Sequence, residues 1–184
     1  MQAQDEVVIQ KVRDHHAALV ANLERLTGAV AQAANLAELG QALASLLQYW
    51  RHEIMPHAAA EESTIYAAAT PLEAARVLIS ALEHEHNDLR RRAAVLEDLY
   101  AQARNALRSS ASATAPAGGP TLFVQATVEA AGAEAVFAVH ADKENDFVLP
   151  TLADAGRPLP EILSRMEQAF CAARRAAETA GVPS

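Results

Sequence analysis

Two segments of the chain repeat one short phrase. His57-Ala58-Ala59-Ala60-Glu61-Glu62 and His140-Ala141-Asp142-Lys143-Glu144-Asn145 each set a glutamate four residues after a histidine. On an α-helix that spacing returns both side chains to one face, so each phrase presents an imidazole and a carboxylate toward a single point. Imidazole nitrogen and carboxylate oxygen are ligands that iron and manganese accept, and a carboxylate can bridge two cations. Two such pairs on two helices can enclose a pair of metal ions, provided that other elements supply further ligands.

The elements that would carry them are readable from the apolar pattern. Val8, Ile9, Val12, Leu19, Val20, Leu23, Leu26 and Val30 recur at three and four, which predicts a helix over about 5–33. A second helix is expected over 36–69 from Leu39, Leu43, Leu46, Leu47, Trp50, Ile54 and Ile65. Thr70-Pro71 ends it and opens a third over about 71–108, marked by Leu78, Leu82, Leu89, Leu96 and Leu107. Residues 109–120 (SSASATAPAGGP) read as a flexible linker, since nothing in them can build a core. A fourth helix comes next over about 121–155, stopped by Gly156-Arg157-Pro158. A fifth over about 160–180 has Ile162, Leu163, Met166, Phe170 and Cys171 as its inner side. The fold class is all-α, an up-down-up-down four-helix bundle over about 5–155 with an additional C-terminal helix outside it, in one domain spanning 1–184. Pro56 is the local conflict, because a proline inside a helix removes a hydrogen bond; a kink there could help to aim His57.

The chain has seven histidines, and a turn of about 100° per residue sorts them by face. On the first helix His16 falls within the apolar stripe and His15 at its edge, so His16 is the chosen ligand with His15 as its alternative. On the third, Ile79, Leu82, Leu89 and Ala93 share a face with His86, while His84 points away. On the second, His57 and Glu61 lie with Leu46, Trp50, Ile54 and Ile65, and His52 is rotated out. On the fourth, Val136, Phe147 and Thr151 flank His140 and Glu144. The inward set is His16, His57, Glu61, His86, His140 and Glu144. Burying four imidazoles and two carboxylates among apolar residues is costly unless they pair or coordinate metal. Glu62, Tyr66, Glu83 and Glu85 are candidates for supporting or proton-relay groups, but a solvated surface position is the preferred reading for them; Glu129 is excepted, because it falls on the same stripe as His140. The string His52-Glu53-Ile54-Met55-Pro56-His57 is one residue too long for the zinc-protease HExxH, and its histidines diverge on a helix.

Composition narrows the remaining possibilities. A net charge of −8 offers no basic stripe to a nucleic acid or an anionic membrane. No apolar run is read as approaching the roughly 18–20 residues that span a bilayer, and the acidic start Met1-Gln2-Ala3-Gln4-Asp5-Glu6 is unlike a signal sequence, so a soluble cytoplasmic protein is expected. The lone Cys171 has no partner for an internal disulfide.

Over about residues 5–155 the sequence resembles the hemerythrin-like, HHE cation-binding family. The resemblance rests most on His57-x3-Glu61-Glu62-x2-Ile65-Tyr66 and His140-x3-Glu144-x4-Leu149-Pro150. Asp14-His15-His16-Ala17-Ala18-Leu19 and Glu85-His86-Asn87-Asp88-Leu89 add to it; an apolar residue three after the ligand again selects His16 and His86. It implies a four-helix bundle holding two iron ions, oxo- or hydroxo-bridged, in preference to manganese. Oxygen-carrying members have a second histidine on the third helix four residues before the first, where this chain has Leu82. They also have an aspartate five residues after the last histidine, where it has Asn145. Fewer nitrogen ligands leave more open positions on the metals, which suits chemistry or sensing better than reversible oxygen carriage. The expected function is therefore a di-iron protein that reacts with hydrogen peroxide, dioxygen or nitric oxide, with catalase-like or peroxidase-like detoxification. The alternative is a non-catalytic iron or oxygen sensor, or an iron-donating repair protein. The sequence leaves monomer or homodimer open.

Overall fold

The structure, a computed structural model, describes residues 3–110 and 119–180, and every element in it is helical. Helix α1 spans Ala3–Gln32, α2 residues 36–69, α3 Glu73–Ser110, α4 residues 119–154 and α5 Leu159–Ala180. The ends of the expected linker thus belong to helices, Ser110 closing α3 and Gly119 opening α4, while 111–118 lie outside the described residues.

Local chemistry sets the boundaries. Asn35 caps α2 by accepting from the Ala37 and Glu38 amides, and the Glu38 carboxylate returns to the Ala34 amide at 2.8 Å, a reciprocal capping box. At the far end of α4, Gly156 takes φ +67°, a left-handed backbone that an L side chain rarely adopts. Its amide and that of Arg157 bond back to the Ala153 and Leu152 carbonyls, which satisfies the last turn.

Two helices are interrupted by π-helical turns. In α2 these cover Trp50–Ile54 and Glu62–Tyr66, and in α4 Glu144–Val148. Two of them have one cause visible in the chain: Ile54-Met55-Pro56 and Val148-Leu149-Pro150 each put a proline two residues past the turn. The last available amide, of Met55 or Leu149, bonds five residues back to Trp50 or Glu144, and the proline, with no N–H, comes where no donor is needed. Pro56 is therefore absorbed without breaking α2. The third turn has hydroxyls inserted in its ladder, Thr64 Oγ1 donating to the Ala60 carbonyl at 2.6 Å and Ser63 Oγ to that of Ala59.

A π-turn advances the chain by less than 100° per residue, so it shifts the phase of the residues beyond it. This corrects the inner face of α4: Phe147 is 59% exposed, and Val148 and Leu152 take the core positions. Phe137, one turn before His140, fills the place expected of Val136, which is only half-buried. Leu107, near the end of α3, is also exposed, and Cys171 sits on the exposed edge of α5 rather than its inner side.

The apolar core forms two clusters. One joins Leu19–Val30 of α1, Leu39–Ile54 of α2, Leu89–Ala103 of α3 and Leu122–Phe137 of α4. The other joins Val8, Ile9 and Val12 with Ile65, Ile79, Leu82, Val148, Leu152, Ile162 and Met166. On each of the four long helices the inward histidine falls between them. Helix α5 packs against α2 from Met55 to Tyr66 and against α1. One expectation fails on hydropathy: Pro120–Asp154 is long and apolar enough to cross a bilayer, with a mean hydropathy of 1.4. Alanine and valine account for that value, and the inner side of this helix, with Ala126, Ala130, Ala133 and Phe137, is buried against the others.

Candidate metal centre

Between the two clusters lies a polar layer made of the six inward residues. His16, His57, His86 and His140 are each 1% exposed, Glu144 is 1% and Glu61 is fully buried. They form two overlapping groups, His16, His57, Glu61 and Glu144, and Glu61, His86 and His140, whose ligand atoms lie within 4.8 Å of one another. The histidines are paired: the Nε2 atoms of His16 and His57 are 3.1 Å apart, and those of His86 and His140 are 3.0 Å apart.

Both carboxylates span the two pairs. Glu61 Oε1 is 2.6 Å from His57 Nε2 and 3.3 Å from His16 Nε2, while its Oε2 is 3.4 Å from His86 and 4.0 Å from His140. Glu144 Oε2 is 3.5 Å from His16 Nε2, and its Oε1 is 3.6 Å from His140 Nε2. Each glutamate thus offers one oxygen to each histidine pair. Glu61 Oε2 and Glu144 Oε2 are buried and make no hydrogen bond among the described residues. A buried carboxylate oxygen without a partner is costly, and a cation between the pairs would satisfy both. The donor set of four imidazole nitrogens and two bridging carboxylates fits such an ion.

The charge balance points the same way. Burial alone would raise the Glu61 carboxyl, but the surrounding histidines, His57 foremost, hold it well below the usual carboxylate range. Burial alone would lower His16 and His140. Hydrogen bonds and charge from Glu61 and Glu144 outweigh it, raising His16 and pushing His140 up to about 10. A cation at the layer would compete with the protons that these shifts favour.

Around this layer stands a ring of partners. His16 Nδ1 lies 2.9 Å from Asn145 Oδ1, His86 Nδ1 2.8 Å from Glu62 Oε1 and His140 Nδ1 3.1 Å from Glu85 Oε2. Arg90 donates to Glu62 at 2.6 Å, and Lys143 pairs with Glu85. Such contacts fix a ligating ring and raise its basicity. Tyr66, 1% exposed, donates its hydroxyl to Glu144 Oε1 at 2.5 Å and lies 3.1 Å from His140 Nε2. Burial, with the charges of Glu144 and Glu61, drives this phenol far above its ordinary range, so it keeps its proton.

Sequence reasoning prefers solvent for Tyr66, Glu62 and Glu85, and the structure corrects this by placing them on Glu144, His86 and His140; sequence reasoning reads Asn145 only as a departure from the family pattern. A signal exists: Glu62 and Asn145 each directly follow the glutamate of a His-x3-Glu phrase, and Tyr66 lies five residues past Glu61, the offset that a π-turn brings back to the inner face. Glu129 does not join the layer; it shares the stripe of His140 but lies about three turns, roughly 16 Å, before it along α4, where it pairs with Arg92 at 3.0 Å. Glu83 is exposed, His84 bonds the Ser80 carbonyl on the surface, and His52 stays outside. His15 lies outside the layer on α1 with part of its surface open to solvent, its ring centroid 5.1 Å from that of His57; partial desolvation on that side and the charges of His57 and His16 push its pKa down to about 4.

A family model described as the Hemerythrin HHE cation binding domain matches residues 7–152, most of the chain. Comparison with curated proteins and with solved structures gave no significant match to either.

Proposed function

The chain belongs to the hemerythrin HHE cation-binding family, and from that premise we propose that it is a di-iron protein that reacts with a small oxidant, with hydrogen peroxide first, then dioxygen or nitric oxide. His16 and His57 would hold one iron and His86 and His140 the other, with Glu61 and Glu144 shared. The carrying observation is that both glutamates offer one oxygen to each histidine pair. Four helices in up-down-up-down order suit this. From N- to C-terminus α1 and α3 run from the cluster around Val12 and Leu82 to the cluster around Leu23 and Leu96, and α2 and α4 run the other way.

Iron, when bound, supplies the electron transfer that no side chain here performs. The protein's own part is positioning and the exclusion of water. Glu62 and Glu85 orient the rings of His86 and His140, and Asn145 that of His16. Tyr66 keeps its proton at Oη, donated to Glu144 Oε1 and beside His140 Nε2, and so holds that carboxylate in place at the layer. Ile54, Leu82, Leu89 and Phe137, each at most 2% exposed, keep water from the layer. Disproportionation of two peroxides to dioxygen and two waters needs no other reductant.

The test is iron content and peroxide turnover in wild type, His57→Ala and Glu144→Ala. About two irons per chain and peroxide consumption that falls at least tenfold in both variants are expected. Less than about one iron per chain, or equal rates in all three, would refute the assignment.

A further inference from the structure

Helix α5 follows the residues matched by the family model, and its two halves are held differently. Leu159, Ile162 and Met166 are buried in the cluster around Val12 and Leu82. Beyond Met166 no described residue of the helix is buried: its inner stripe is Ala169, Phe170, Ala173 and Ala177, each only half-buried. Three cavities, of about 290, 400 and 580 Å³, separate this second half from α1, α2 and α3. An ion pair ties it to α2, Arg174 with Glu53 at 3.2 Å, but both side chains are partly exposed, and such pairs contribute little.

What lies beneath is short of polar partners. Trp50 lines the smallest of these cavities with Ala173 and Ala177, and His57 lines the next with Glu167 and Phe170. Trp50 Nε1 and His57 Nδ1 are each buried with no hydrogen-bond partner among the described residues. An unpaired buried polar atom is costly, so the seated helix carries a penalty that water relieves once it lifts. The other three rings of the metal layer are closed at their outer nitrogens by Asn145, Glu62 and Glu85. At His57 no side chain does this, and α5 packs over the segment that carries it.

We propose that the second half of α5, from Glu167 on, is a cover that comes away from α2 while Leu159, Ile162 and Met166 stay seated, and that the cation enters and leaves the layer past His57 while the cover is off. The inference rests on the metal reading for what passes, and not for the motion. Openings of this kind occur in segments with few buried apolar contacts. A cover sets rates and leaves affinity alone, since each opening serves uptake and release in the same ratio.

Two full-chain variants displace the cover in opposite directions. Arg174→Glu sets like charges against Glu53 and Glu178, and Ala177→Leu fills the cavity beside Trp50. The motion is read in metal-free protein by solvent exchange of the Trp50 indole proton, the single indole of the chain. Passage is read by the rate of ferrous uptake under argon and the rate of its removal by bipyridine. In Arg174→Glu all three rates should rise about fivefold, and Glu53→Arg added to that variant should return them toward the wild type. In Ala177→Leu all three should fall about tenfold, and in each variant the affinity for ferrous ion should stay within about twofold of the wild type. Indole exchange that is the same in all of these proteins would overturn the cover. Indole exchange that responds while uptake and removal do not would overturn passage past His57, as would an affinity that changes as much as the removal rate. A wild type that binds no ferrous ion would strike the metal reading and the passage with it; failure of the cover alone leaves ferrous binding intact.

Discussion

At His140–Glu144 the polar edges have protein partners: Glu85 on the outer nitrogen, Lys143 behind Glu85, and the Tyr66 hydroxyl on the carboxylate. At His57–Glu61, four residues apart in the same way, the outer nitrogen is buried with no hydrogen-bond partner among the described residues, and there the carboxylate is reached by histidines, all four of them. A spacing of four on a helix therefore gives two segments the same inner geometry and says nothing about their support. Glu61 sits at the centre, common to both groups of ligand atoms, and on the proposed reading would decide whether the layer can hold a cation. Glu144, held in place by Tyr66, would tune how that cation is held.

The largest effect is expected at the centre. Glu61→Ala removes the one carboxylate common to both groups and leaves four buried imidazoles facing one another; metal affinity should fall more than about 100-fold, by titration calorimetry. The loss in Glu144→Ala should be smaller, and equal losses would break the contrast between the two segments. Next come the outer partners. Glu85→Gln should weaken metal binding about tenfold, because it removes the charge that raises the basicity of the His140 ring, whereas Glu167→Gln, at the cavity beside His57, should change it less than about twofold. Tyr66→Phe leaves Glu144 Oε1 without its donor in a buried site and should cost about 1–3 kcal/mol in chemical denaturation of the metal-free protein.

The smallest effect is on pH. Because the folded pKa of His140 is raised from 6.5 to about 10, the folded chain binds this proton more tightly than the unfolded one. The contribution is complete below pH 6.5 and lost as pH rises through about 10, so the denaturation midpoint of metal-free protein should fall across that window. Apparent metal affinity should rise across the same window, since the cation displaces the proton.

The inward placement of the six residues is legible because each lies in, or at the edge of, regular α-helix, where 100° per residue holds and the apolar stripe marks the core. His15 and His16 differ by one such step, enough to separate them once Val12 and Leu19 define the face. Legibility fails where the ladder changes. Phe147 lies inside the Glu144–Val148 π-turn, and the lost phase turns it to solvent while Val148 moves in. The same phase shift brings Tyr66 onto Glu144. Glu85 and Glu62 cannot be resolved from periodicity at all, because each stands at the rim of its helix and its direction is set by a residue of a neighbouring helix, His140 for one and His86 for the other.

The central claim is that one buried layer holds two cations bridged by Glu61 and Glu144. X-ray absorption at the iron edge, on protein loaded anaerobically with ferrous ion, tests it most directly. The account predicts uptake of about two irons per chain and an iron-to-iron scattering path of about 3.5–4 Å that disappears in Glu61→Ala. A single iron per chain, or fully loaded protein with no such path, would contradict it.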